Sequence, residues 1–103
     1  MRLRLSKLAI VDLEEIHDFT LNRWGEEQAT HYLGMLWNTL EEIQMDPTRW
    51  RLRPDIHEEA RVRVYGRHLI IYRIHNERVE VSRLLHRARK LPENLPPSFI
   101  EPE

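Results

Sequence analysis

The stretch Tyr65 to Lys90, YGRHLIIYRIHNERVEVSRLLHRARK, restricts the fold more than any other part of the chain. Its apolar residues recur with period two, which suits a strand and not a helix. Within residues 68–74, Ile70, Tyr72 and Ile74 share one face and Leu69 and Ile71 the other. Residues 78–86 form a second run, ending on Arg83, Leu84, Leu85 and His86. Asn76-Glu77 leaves room only for a tight hairpin turn between them. Just before this pair, Arg61, Val62, Arg63, Val64 and Tyr65 alternate and meet it through Gly66-Arg67. Three consecutive strands with short turns predict an antiparallel meander.

The first half of the chain has a different period. Residues 2–6 alternate and predict a short strand, after which Ser6 can cap a helix. From Leu8 to Trp24, Ala9, Leu13, Ile16 and Trp24 recur at helical spacing, with Phe19 adjoining. Acidic residues lie early in this segment, where the helix dipole favours them. Gly25 is a stop signal. A second helix is predicted from Glu26 to Met45, with a stripe of Ala29, Tyr32, Leu33, Leu36, Leu40 and Ile43 and with Trp37 beside it. Asp46-Pro47 ends it. A one-residue break implies an antiparallel helical hairpin. Residues 48–60 read as irregular, since Pro54 resists a regular element.

The expected fold is α+β: a short N-terminal strand, an α-helical hairpin and a three-stranded meander, with both helices packed on one sheet face and the other face open. Residues 1–90 are read as one domain. Residues 91–103, with four of the six prolines, are read as a Pro-rich tail ordered only where it docks.

The net charge of −1 is an average over unlike segments. Residues 1–48 hold four Lys/Arg against nine Asp/Glu, whereas residues 49–90 hold twelve against five. The tail holds three acids and no base. A basic block in an acidic frame suits an anionic or acidic protein target. Its plainer explanation is a set of arginines paired with neighbouring carboxylates. Arg49, Arg51 and Arg53, interleaved with Trp50 and Leu52, are the stronger binding candidates, because arginine engages acidic groups in bidentate fashion.

Several chemistries are disfavoured. Six histidines at 17, 31, 57, 68, 75 and 86 include no close helical pair, and there is no cysteine, so no metal site is expected. Three scattered glycines make no phosphate loop, and no cofactor is expected. Glu14-Glu15, Glu26-Glu27 and Glu41-Glu42 are adjacent helical positions that do not face each other. No apolar run approaches the roughly 20 residues of a membrane span, and Arg2 and Arg4 interrupt any secretory apolar core. Lack of cysteine fits a cytoplasmic chain. Metal-free RNA cleavage would need an acid, a base and a cation. His86, His68 or His75 could supply the first two, and Arg61, Arg63, Arg73 or Arg83 the third. An odd separation places Arg83 and His86 on opposite faces of a regular strand, so only a bulge could unite them.

In order along the chain, Leu5-Ser6-Lys7-Leu8-Ala9 with Asp12 to Ile16, then Trp24-Gly25 with Ala29 and Tyr32, then Ile43, Pro47, Arg53-Pro54 and Arg61, and finally His68, Ile70, Tyr72, Val79, Val81 and Arg83 to His86, resemble the ParE/RelE superfamily of toxins from type II toxin–antitoxin pairs. The resemblance spans roughly residues 3–90. RelE-like members imply a ribosome-dependent, metal-free mRNA endoribonuclease with a Tyr just after the last strand. Here Arg87-Ala88-Arg89 follows His86 and no Tyr occurs after Tyr72. The Trp24-Gly25 break and the Arg83-Leu84-Leu85-His86 ending are more similar to the ParE branch, which implies a protein that poisons DNA gyrase without catalysis. On that resemblance the target-binding candidates are Arg49, Arg51, Arg53, Arg61, Arg63, Arg83, His86, Arg87 and Arg89. No catalytic residue is assigned, though Arg61, Arg83 and His86 would serve a nuclease. A cognate ParD-like antitoxin is implied, in a hetero-oligomer, over Leu33, Leu36, Trp37, Leu40 and Tyr72. An inactive member that only binds its antitoxin is the third alternative.

Overall fold

The computed structural model describes residues 1–88. Its elements are β1 (Arg2–Leu5), α1 (Lys7–Trp24), α2 (Glu26–Met45), a short 3-10 turn (Pro47–Arg49), β2 (Arg61–Tyr65), β3 (His68–His75) and β4 (Arg78–His86). The expected meander forms, with β3 antiparallel to both β2 and β4. β1 then pairs with β4 in parallel, giving the order β1-β4-β3-β2. The expected tail and Arg89 lie outside the described residues.

Each boundary has a local cause. The Ser6 hydroxyl accepts from the Ala9 N–H at 2.9 Å and starts α1. Gly25, at φ 94°, ends α1 and begins α2 within one residue. A side chain at that φ would be strained. Asn76 and Glu77, at φ 50° and 59°, supply the two left-handed residues of a tight hairpin turn.

The main core lies between the helices and one sheet face. Ala9, Leu13 and Ile16 from α1 and Leu36, Leu40 and Ile43 from α2 pack on Ile70, Tyr72, Val79, Val81 and Leu84. Tyr72 donates its hydroxyl to the Pro47 carbonyl at 2.7 Å, which ties the end of the hairpin to the sheet. Burial pushes this phenol up to about 12. The expected stripe needs correction at its ends. Phe19 and Trp24 are 59% and 54% exposed, so the core of α1 stops short of its C-terminus.

The second sheet face is less open than expected. Ala60, Ile71 and Leu85 form a small second cluster with Ile56 and Val62. The irregular segment reaches this face because Arg53 N–H bonds the Ala60 carbonyl and Leu52 bridges to Arg61. Glu80, 2% exposed, accepts from Arg73 at 2.8 Å and Arg78 at 3.1 Å. Arg73 also reaches Glu59 at 2.9 Å.

Between β3 and β4 the register shifts: Tyr72 pairs with Val81 and Ile71 with Arg83, so Ser82 is the extra residue of a bulge. The polar groups there are satisfied by α1 and its cap. Ser6 donates its hydroxyl to the Ser82 carbonyl at 2.6 Å, and its N–H bonds the Val81 carbonyl at 3.0 Å. Asp12 accepts from the Leu84 N–H at 2.9 Å and from Arg83 Nε and Nη2 at 2.8 and 3.0 Å. Both side chains are largely buried, at 7% exposure for Asp12 and 14% for Arg83. The Asp12 carboxylate beside it holds the Arg83 guanidinium above its usual range. Removing the carboxylate strands a buried cation and a backbone N–H. Asp12→Ala should therefore cost about 3 kcal/mol in unfolding free energy, read as a lower urea midpoint at pH 7.

Candidate functional site

A cleft of about 600 Å³ opens beside the core, where the helices diverge from the end of the sheet. Asp12, Glu15, Ile16, Phe19, Thr20 and Trp24 of α1 form one wall, and Gln28 and Tyr32 of α2 the second. The floor is the β2–β3 turn, Gly66-Arg67, with His68, Leu84 and His86. The bulge at Ser82 explains the presence of His86. Val81 and Leu84, an odd number of residues apart, both pack against the helices, so alternation is reset and His86 follows Leu84 to the cleft side. Parity in an unbroken strand put Arg83 and His86 apart. With the bulge, His86 and the carboxylate that holds Arg83 line one cleft.

The cleft contains a polar cluster on apolar walls. Tyr32 Oη is 2.7 Å from His68 Nδ1 and accepts from the Arg67 N–H at 3.2 Å. The His68 and His86 rings meet edge to face with centroids 5.6 Å apart. Burial, then the nearby His86 and Arg67, drives His68 down to about 4, against the opposing pull of Asp12. Near neutral pH the ring is therefore uncharged. Burial also raises the Tyr32 phenol. Gly66, at φ 55°, is placed so that a Cβ would sit 2.7 Å from Tyr32 Oη. Among the described residues, no group of three or more His, Asp or Glu is placed to hold a metal ion. No described helix is long and apolar enough to cross a membrane.

The basic block divides into two sets. Arg53 pairs with Asp55 at 2.8 Å, Arg63 with Glu42 at 2.8 Å, and Arg83 with Asp12. Arg61 donates to the Trp50 carbonyl at 2.6 Å. Each of these four target-binding candidates holds a partner within the chain, with the Arg53–Asp55 pair on the surface. Trp50 packs against the main core, with Arg63 4.4 Å and Arg49 5.3 Å from its ring centroid. The second set, Arg49, Arg51, Arg67 and Arg87, is exposed and shows no acidic partner among the described residues. Arg49 and Arg51 lie near the start of β2, Arg67 and Arg87 near its end, as the Leu52–Arg61 bridge and the Arg87 N–H bond to the Arg67 carbonyl place them.

The nuclease candidates are not assembled. Arg61 pairs across from Tyr72, whereas His86 pairs across from His68 at the other end of β3. Of the five antitoxin candidates, Leu36, Leu40 and Tyr72 are fully buried in the main core and present no surface. Their periodicity marked them as apolar but could not tell core from contact. Leu33 is half-buried and Trp37 is 43% exposed. Residues that the sequence reading placed elsewhere, Phe19, Trp24 and Tyr32, line the cleft. Trp24 beside the Gly25 break was the available signal, since a helix end seldom covers so large a side chain.

This α+β fold, with a helical hairpin over one face of a four-stranded sheet, is similar to that of a solved structure. One chain of a solved structure described as the chromosomal ParDE TA system from P. aeruginosa superposes with a TM-score of 0.74 at 18% identity, covering 84% of this chain and 95% of that one. In sequence, residues 3–91 match the family described as the ParE toxin of the type II toxin-antitoxin system, parDE. Toxin ParE1 of Mycobacterium tuberculosis is 35% identical over 95 residues, 91% of this chain and 97% of that protein. Toxin ParE1 of Caulobacter vibrioides is 35% identical over 85 residues, 82% and 88% of the two chains. The chain belongs to the ParE toxin family.

Two predictions concern the cleft. Gly66→Ala should destabilise the fold by about 1–3 kcal/mol, through its positive φ and the clash with Tyr32, as a shifted thermal midpoint would report. A base depressed from 6.5 to about 4 on folding takes up its proton more readily when unfolded. The stability it contributes is complete above pH 6.5 and is lost as pH falls towards 4. Urea midpoints between pH 7 and 4 should fall for the native chain and fall less for His68→Gln.

Proposed function

We propose that this chain is the toxin of a toxin–antitoxin pair, arrests growth by binding DNA gyrase, and is neutralised by a cognate antitoxin. The observation that carries the reading is the second set of arginines. Among the described residues, Arg49, Arg51, Arg67 and Arg87 stay exposed without an acidic partner, while Arg53, Arg61, Arg63 and Arg83 each hold a partner within the chain. Surface guanidiniums with no acidic partner among the described residues suit a protein target with acidic groups. The similarity to proteins named ParE toxin supports the toxin role. Leu33 and Trp37 keep a place in the antitoxin contact, with an amphipathic segment of the antitoxin laid along the helical hairpin. The chain acts in this reading by occupancy, not by bond cleavage.

A second reading, ribosome-dependent mRNA cleavage, draws on one feature. His68 is held neutral beside His86 and Tyr32, a group with acid and base capacity. New cuts in translated messages, mapped by primer extension, would favour it.

A supercoiling assay with purified gyrase separates the two. The native chain should inhibit supercoiling. Reversing one exposed pair at a time, Arg49→Glu with Arg51→Glu or Arg67→Glu with Arg87→Glu, should raise the half-inhibitory concentration by about tenfold for the pair that meets the target. Full supercoiling at toxin excess would refute the gyrase reading.

A further inference from the structure

We propose that the cleft between the helical hairpin and the β2–β3 turn is a binding site for a small planar aromatic carboxylate, its ring against Phe19 and Trp24 and its charge on Arg67, His68 and His86. The inference does not depend on which macromolecule the chain acts on. The volume of about 600 Å³ suits such a molecule, since ligand sites run to roughly 300–1,000 Å³. Phe19 at 59% and Trp24 at 54% exposure stand on the α1 wall without a cover among the described residues, with Ile16 beside them. A flat ring that packs on such side chains leaves water in doing so.

The hydrogen bonds of the floor select an anion. The Tyr32 hydroxyl has a single proton to give, and its 2.7 Å contact with His68 Nδ1 is much shorter than the 3.4 Å one with the Tyr65 carbonyl. The proton goes to Nδ1, so the His68 ring, uncharged near neutral pH, keeps its own proton on Nε2. His86 Nδ1 accepts from the Ala88 N–H at 3.2 Å, which makes Nε2 the N–H of this ring too. Both histidines therefore bring a donor to the cleft lining and neither brings a free acceptor. Arg67 adds a guanidinium. Its backbone is fixed from two sides, by its N–H to Tyr32 Oη at 3.2 Å and by its carbonyl to the Arg87 N–H at 2.8 Å, while the residue stays exposed. Donors of this kind, one of them charged, match carboxylate oxygens. Of the two carboxylates in the lining, Asp12 is neutralised by Arg83, which leaves Glu15. That remaining negative charge disfavours a dianion, and so selects a carboxylate over a phosphate monoester.

Naphthoate titrated into the isotope-labelled full-length chain provides the test. Amide signals of Trp24, Arg67 and His86 should shift saturably at sub-millimolar concentration, while those of Ile56 and Glu59 on the opposite sheet face stay in place. Naphthamide, which keeps the ring and loses the charge, should bind about tenfold more weakly. Naphthoate should lose about tenfold in affinity on Arg67→Gln and on Trp24→Ala, both changes at exposed side chains. Naphthamide needs no substitution, so it decides the matter even where a variant loses its dispersed amide spectrum. Shifts that do not saturate, equal affinity for naphthamide, or affinity unchanged in both variants would overturn the proposal. Adenosine monophosphate should bind more weakly than naphthoate. Binding as tight or tighter would make the cleft a nucleotide site and likewise overturn it.

Discussion

The clamp between α1 and the bulge of β4 sets the rest of the structure. A bulge leaves backbone groups that the ladder does not satisfy, and inside a protein such groups are costly. Ser6 takes the Ser82 carbonyl and Asp12 takes the Leu84 N–H, so the first half of α1 is fixed to one point of the sheet. The same Asp12 neutralises Arg83, whose charge would otherwise be stranded in a largely buried position. Helix position, strand register and charge are thus settled by two side chains six residues apart. Everything beyond the bulge inherits the reset alternation, including the turn of His86 towards the helices.

This explains why the fold was easier to read than the site. The period of the apolar residues survives in one dimension, and it located both helices, the Gly25 break and the three meander strands. The parallel place of β1 beside β4 was not visible, because four alternating residues do not name their partner. The bulge was also silent. Nothing in Val81-Ser82-Arg83-Leu84 distinguishes an extra residue from a regular strand, and the face assigned to His86 depends on that distinction. The arginines could not be sorted from sequence for another reason. Charge counting found the basic block, but only proximity in space separates Arg63 on Glu42 from Arg51 in solvent.

The aromatic residues show the same limit from the apolar side. Leu36, Leu40 and Tyr72 have the composition of a contact surface and lie in the core, whereas Phe19 and Trp24 have the composition of a core and lie at a cleft. Helix length decides this. α1 continues past the sheet that its first half covers, so its last turns project over the β2–β3 turn, where Tyr32 and His68 meet. Family membership then gives the cleft and the exposed arginines a biological setting that geometry alone does not supply.

The Glu80 cluster on the far sheet face has a consequence for how the chain avoids wrong pairings. Glu80 sits between Arg73 and Arg78 on the face opposite Val79 and Val81. If β4 slid by one residue against β3, each side chain would change face. The carboxylate would then enter the aliphatic layer under the helices together with Arg78 of its own strand, away from Arg73 on β3, and two charges would be desolvated with only part of their pairing kept. A buried ion cluster that adds little to net stability can still act as a proofreading device during assembly. It leaves the slipped sheet, including mispairings available to a newly made chain, without a low-energy place to stop.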